Sequence, residues 1–267
     1  GLLLDTSMVD NYLGIQEISG EAMAHEFLNH VNTLDIPLKD DSEVIGYKKM
    51  DEIHVLTLYS GEVFQGKTIL IATGSNPRHL GVEGEDTYAG RGVAYCAICD
   101  APLFKGKEVL IAGGGNSAVE AALDLAKVAS SVTLIHRSQL RADSILIKKL
   151  YEEPKITVHL ETQITEIFGE KAMEGLRALH KPTGEEKTLY ADGLFIEIGH
   201  VPNTGVFKNL LTLNDQGEIL VDVKNRTNLP GVYAAGDVTN VPYKQIVIAA
   251  SDGAKAALSI NEYLNSK

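Results

Sequence analysis

The chain has 267 residues, enough for two domains with separate cores. Its formal charge of −12 argues against nucleic acid or an anionic membrane surface as a partner, because both carry dense negative charge. The 44% hydrophobic and 22% charged residues are ordinary for a globular protein, no apolar run approaches the roughly 20 residues that span a bilayer, and the Gly-Leu-Leu-Leu start lacks the basic flank of a signal peptide.

Residues 1–18 read as extended or irregular, with turn signals at Asp10-Asn11 and Gly14. Ser19 is placed to cap a helix over 19–34, where Met23, Phe27, Val31 and Leu34 recur at helical spacing. Strand signals follow at 42–47, 53–58 and 63–72, with Ser60-Gly61 as a hairpin turn. The last of these runs into the loop Ala72-Thr73-Gly74-Ser75-Asn76-Pro77. From about Tyr88 the rhythm changes to strand 108–112, helix 116–128, strand 131–135, a helix to 152 and strand 156–160. That β-α-β-α-β order is the frame of a doubly wound parallel sheet. Segments 164–168, 175–180 and 187–190 read as a β-meander, and 193–199 as a further apolar strand before the Pro202-Asn203 turn. In the final third, 219–221 and 232–235 read as strands and 245–264 as a long helix. The flanks thus enclose a self-contained centre, which reads as a domain inserted into an outer one.

Four stretches carry chemistry. Gly113-x-Gly115-x-x-Ala118 follows a strand and opens a helix. Its first glycine makes the tight turn, its second admits a pyrophosphate, and the small third residue lets helix and strand pack closely. Asn116 and Ser117 fall in the first helical turn, whose free N–H groups face phosphate. The alternative is a merely tight β-α turn. A dinucleotide-binding strand often ends in an acid for the ribose hydroxyls; here the strand ends in His136 and Arg137, with Arg141 one turn later. Cations suit a 2′-phosphate and so NADP; the plain alternative is a solvated basic turn.

The two cysteines form Cys96-Ala97-Ile98-Cys99, with Asp100 behind them. Half a zinc site, a pair of buried structural thiols and a redox dithiol all match the spacing, but no second cysteine pair completes a zinc set. The neighbouring dinucleotide machinery favours the redox pair, with one thiol's pKa lowered locally and Asp100 moving protons; such a pair suits a reducing cytosol. Ala235-Gly236-Asp237-Val238 ends a strand and suits a carboxylate set against a sugar or ribitol hydroxyl, or else an ordinary turn. His25, His30, His79 and His180 carry no assigned chemistry.

In this motif order the chain resembles the low-molecular-weight thioredoxin reductases and the flavoprotein component of the alkyl hydroperoxide reductase system. The resemblance runs through Asn11-Tyr12-Leu13-Gly14, Ala72-Thr73-Gly74, the Cys-x-x-Cys-Asp, residues 113–117, His136 to Ala142, 199–204 and 235–238. It implies an α/β protein of two Rossmann-like three-layer domains: an FAD domain over 1–77 and 206–267, interrupted by an NADP domain over 78–205 that carries the dithiol. It also implies that Cys99 lies nearer the flavin, that Cys96 attacks the protein substrate and that Asp100 is acid and base. Asn11, Thr73, Gly74, Asp237, Gln245 and Ile246 match flavin-contacting positions. The implied activity is NADPH-dependent thioredoxin-disulfide reduction by a cytoplasmic homodimer, with thioredoxin or a similar protein as partner and no metal.

Three departures stand beside this. The family's first strand, Gly-x-Gly-x-x-Gly turn and helix for the FAD pyrophosphate are not in the sequence, which starts at Gly1, so the FAD domain is expected to be incomplete and a flavin-free dinucleotide-binding remnant is the alternative. Ser138 stands where the family has a second arginine. Residues 102–107 and 241–246 look more like the peroxide-system flavoprotein, which takes NADH. That relative carries an extra N-terminal thioredoxin-like domain, and its nicotinamide strand ends in an acid rather than in His136.

Overall fold

The computed structural model describes all residues except Asp5, Ser7 and Lys267. Two positions inside the irregular 1–18 reading therefore lie outside the described residues. The chain divides into two compact units: His25–Asn76 with Val201–Lys267 (and Gly1), and Leu2–Ala24 with Pro77–His200. The division departs from the sequence expectation over 2–24, which goes with the central segment. It crosses from one unit to the other at 76/77 and 200/201, inside two short segments, Ser75–Pro77 and His200–Pro202, that pair as strands.

The central unit is built on a five-stranded, all-parallel sheet. Its order is Val93–Ala94, Gly193–Ile196, Glu108–Ala112, Ser131–Ile135, Ile156–His159. Alternation along these apolar strands sends side chains to opposite faces. Val109, Ile111, Val132 and Leu134 pack under the helices Asn116–Ala126 and Ser144–Glu152, meeting Ala122, Leu125 and Leu150. Leu110, Ala112, Ile135 and Ile196 pack on the other face against Ile164, Ile167 and Leu176. Those residues belong to the antiparallel meander Thr162–Gly169, Met173–His180, Glu185–Tyr190. Helices, parallel sheet and meander make three layers. Each fully buried Leu or Ile in them contributes about 1.5–3 kcal/mol.

The other unit holds an antiparallel sheet of Val44–Met50, Ile53–Leu58 and Val63–Gly66. The strand expected over 63–72 is two strands, because Gly66 ends the hairpin and Ile69–Ile71 turns to pair in parallel with Val232–Ala234. Ile71, Val232, Ala234 and Val238 share a core with Phe207, Leu211 and Ile219. The helix Ile246–Asn265 packs Ala256 onto Tyr233 and Ala235. Residues 219–221 form isolated bridges at Ile219 rather than a strand. The helix Gly20–Asn32 starts where expected: Ser19 Oγ accepts the Ala22 N–H at 3.2 Å, and Met23 is fully buried.

Candidate functional site

The dinucleotide turn sits at the carboxyl end of Glu108–Ala112, where ligands bind in doubly wound sheets. Gly113 has φ +155°, and a Cβ there would lie 2.4 Å from the Glu197 carbonyl oxygen and 2.6 Å from the Ala118 Cβ. The close helix–strand packing read from Ala118 is thus present. A Cβ on Gly114 would strike the His136 ring at 2.4 Å. Gly115 differs: nothing lies within 4 Å of where its Cβ would stand, so the turn leaves open space before the helix N-terminus. A pyrophosphate fits that cradle, over the free N–H groups of Asn116–Ala126.

His136, Arg137 and Arg141 come together at this turn, in unequal roles. His136 is buried behind Gly114, with Nε2 at 3.1 Å from Ser138 Oγ. Burial lowers its pKa, and the charges of Arg141 and Arg137 lower it further. Both effects favour the neutral ring, which floors the turn behind Gly114. Arg137 and Arg141 are exposed, and among the described residues neither pairs with a carboxylate. The Arg141 N–H donates to the Gly114 carbonyl at 2.7 Å, folding the loop back on the turn. Asn116 turns its side chain away: Nδ2 donates to Asp143 Oδ2 at 3.0 Å, and Oδ1 accepts the Asp143 N–H at 2.9 Å. Ser117 is exposed in the first helical turn.

The cysteines stand at the end of the strand Val93–Ala94 in the same sheet. They are joined as a disulfide with Cα atoms 5.3 Å apart, across the short helix Ala97–Asp100. The Cys99 N–H donates to Cys96 Sγ at 3.2 Å and the Asp100 N–H to the Cys96 carbonyl at 3.1 Å, which ties the turn to itself. Asp100 is buried, while Ile98, between the cysteines, is 64% exposed. Tyr95, the residue before Cys96, donates its hydroxyl at 3.0 Å to buried Glu85, which also accepts from the Leu80 and Gly81 N–H groups at 3.2 and 2.8 Å.

Sequence reasoning missed Glu85 and Glu197. Glu197 Oε1 accepts the Ala97 N–H at 3.1 Å, inside the dithiol turn, and burial pushes its carboxyl up to about 7. The signal available was an acid interrupting an otherwise apolar strand, Leu194-Phe195-Ile196-Glu197-Ile198.

In the other unit the parallel pairing of Ile69–Ile71 with Val232–Ala234 sets Thr73, Gly74 and Asp237 at neighbouring strand ends. Gly74 has φ +66° with open space at its Cβ position, and the Ser75 hydroxyl beside it is buried with no hydrogen-bond partner among the described residues. Thr73 Oγ1 donates to the Asn203 carbonyl and Asn203 Nδ2 to the Thr73 carbonyl, both at 2.8 Å. Lys244 donates to the Thr239 carbonyl and pairs with Glu218, which holds Gln245 and Ile246 near the turn Gly236–Val238. These strand ends offer what a flavin's ribityl side needs: a carboxylate, small residues and room. Asn11 lies with the other compact unit.

The sequence matches the family described as Pyridine nucleotide-disulphide oxidoreductase over residues 12–253. An alkyl hydroperoxide reductase component of Pseudomonas putida is 44% identical over 99% of this chain and 52% of its own length. The Staphylococcus aureus (strain MSSA476) protein of the same name is 40% identical, again over 99% and 52%. The chain thus spans about half the length of the curated relatives it matches. Among solved structures, thioredoxin reductase from Streptococcus pyogenes MGAS5005 superposes with a TM-score of 0.93 at 33% identity, covering 100% of this chain and 87% of that one. Thioredoxin reductase from Giardia duodenalis gives 0.91 at 31%, covering 99% and 87%. Likeness that runs the length of the chain, in sequence and in backbone alike, makes this protein a member of the pyridine nucleotide-disulphide oxidoreductase family, of the thioredoxin reductase type.

Proposed function

We propose that this chain passes electrons from NADPH, through FAD, to the Cys96–Cys99 disulfide and on to a disulfide of thioredoxin or a similar protein. The observation that carries the reading is a disulfide and a phosphate-sized glycine cradle at the carboxyl ends of strands in one sheet. The family uses FAD and NAD(P)H. Bound flavin supplies a two-electron relay between nicotinamide and disulfide.

The chain's own residues do the rest. The turn Gly113–Ala118 holds the pyrophosphate through Gly115 and the N–H groups of Asn116 and Ser117. Arg137 and Arg141 hold the 2′-phosphate. Thr73, Gly74, Asp237, Gln245, Ile246 and Asn11 hold the flavin, in an FAD domain of 1–77 and 206–267 around an NADP domain of 78–205. Opening the disulfide takes up two electrons and two protons. Cys99 receives the pair, Cys96 attacks the partner's disulfide as a thiolate, and buried Asp100 gives and takes the proton. Exposed Ile98 offers the partner an apolar contact beside the attacking sulfur. A homodimer in a reducing cytosol is the setting.

A second reading is favoured by the 44% identity to the alkyl hydroperoxide reductase component of Pseudomonas putida: an NADH-dependent flavoprotein that reduces a peroxidase of the peroxiredoxin type. The visible spectrum of the purified chain, followed by turnover with each nucleotide and each acceptor, separates the readings. Flavin bands with NADPH-driven thioredoxin reduction support the first. NADH-driven peroxiredoxin reduction supports the second, and a colourless chain that cannot take up added FAD contradicts both.

A further inference from the structure

Glu197 has no part in that scheme, yet it touches both ends of it. It follows the strand Gly193–Ile196, which lies between Val93–Ala94 and Glu108–Ala112. Its N–H donates to the Ala112 carbonyl at 2.8 Å, and its own carbonyl backs Gly113. Its side chain runs to the other neighbour, where Oε1 accepts the Ala97 N–H at 3.1 Å. One residue therefore joins the dinucleotide turn to Ala97, the first of the two residues between the cysteines. Keeping a carboxyl half-buried there costs free energy: burial raises its pKa to about 7, and the Ala97 N–H pulls the other way. The titratable groups on the elements packed around it are Asp100 on the dithiol helix, His136 behind Gly114, and His200 on its own segment; none of them adds to that rise. An alanine or an aliphatic residue would fill the place without this penalty.

We propose that Glu197 is a positioning residue of the redox pair: it clamps the Ala97 amide to the strand end beneath the dinucleotide turn and so favours the closed disulfide over the open dithiol. The proposal rests on reading Cys96–Cys99 as the redox pair, but its test reads the bond itself and not turnover, so a failed thioredoxin assay leaves it decidable. In exchange with dithiothreitol the Cys96–Cys99 bond breaks and the reagent's own S–S bond forms; the reagent loses two electrons and two protons, and the chain gains both.

The test equilibrates the full chain with mixtures of reduced and oxidised dithiothreitol and counts free thiols. Loss of one net hydrogen bond predicts a shift of about three- to tenfold toward the dithiol in E197A. In E197Q the amide oxygen still accepts from Ala97, and the equilibrium stays within about twofold of wild type. The Ala97 amide signal gives a second readout: it moves with pH around a midpoint of about 7 in wild type and stays flat in E197Q. An unchanged equilibrium in E197A, an equal shift in E197A and E197Q, or an Ala97 amide that ignores pH near 7 overturns the proposal. Should E197A fail to fold, E197Q and the amide titration decide the matter.

Discussion

Replacing Arg137 and Arg141 together with alanine removes two exposed cations at the dinucleotide turn that have no carboxylate partner among the described residues. Both act on one spot, since both lower the pKa of His136, whose ring packs behind Gly114. A charge-assisted contact is worth about 1.5–3 kcal/mol, and exposure of both side chains places each at the lower end. Two such contacts amount to about 3 kcal/mol, roughly a hundredfold in affinity at about 1.4 kcal/mol per decade. Titrating the oxidised chain with each nucleotide tests this. R137A/R141A is expected to weaken NADPH binding by about a hundredfold, with NADH unchanged within about twofold. Ser138→Arg is expected to strengthen NADPH binding by about three- to tenfold. The same double variant raises the pKa of His136, an NMR check that needs no nucleotide. Tighter binding of NADH than NADPH by the unaltered chain, or equal losses for both nucleotides, would refute the cation reasoning and favour the peroxide-system reading.

Two glycines of one turn are expected to separate folding from binding. Gly113→Ala places a Cβ 2.4 Å from the Glu197 carbonyl at φ +155°, and urea denaturation should show a loss of about 2–4 kcal/mol. Gly115→Ala meets open space at φ −93°, so stability should change by less than about 0.5 kcal/mol while NADPH affinity falls about tenfold or more. Glu85→Ala removes the acceptor of the Leu80 and Gly81 N–H groups and of the Tyr95 hydroxyl, which keeps its contact to His79 Nδ1, for an expected loss of about 1–3 kcal/mol in the same assay. Glu197 also sets a pH dependence. Its folded pKa is raised above the ordinary carboxyl value of 4.5 to about 7, so between those values the folded chain holds the extra proton. Its contribution to stability is therefore largest below 4.5, declines as pH rises to about 7 and is then constant. Stability measured across that window should fall more steeply in wild type than in E197Q; parallel curves would contradict the burial argument.

Much of this was legible because apolar runs have few places to go. Glu108–Ala112 and Ser131–Ile135 are buried on both faces, so their continuous hydrophobicity marks them with their bounds. Ser19 marks a helix start because a hydroxyl there satisfies a free N–H. The helix Ala97–Asp100 is one turn long, too short for periodicity to register, so the dithiol read only as a motif. The break at Gly66 was hidden inside a run of good strand formers. The side-chain partner of Asn116, Asp143, lies 27 residues on, beyond any local signal. Enclosed carboxyls were the hardest to see: buried Glu85 and half-buried Glu197 read as surface acids until the fold supplies their N–H partners.

On the proposed function, electrons reach a protein disulfide by way of Cys96 and Cys99. Stopped-flow and steady-state oxidation of NADPH by the chain supplied with FAD, with thioredoxin disulfide as acceptor, tests it most directly. One acceptor disulfide is expected to be reduced per NADPH in wild type. In Cys99→Ser, acceptor reduction is expected to fall to background, with NADPH binding retained. Full acceptor turnover in Cys99→Ser, or a wild-type chain that binds FAD and NADPH yet leaves its own disulfide closed, would contradict it.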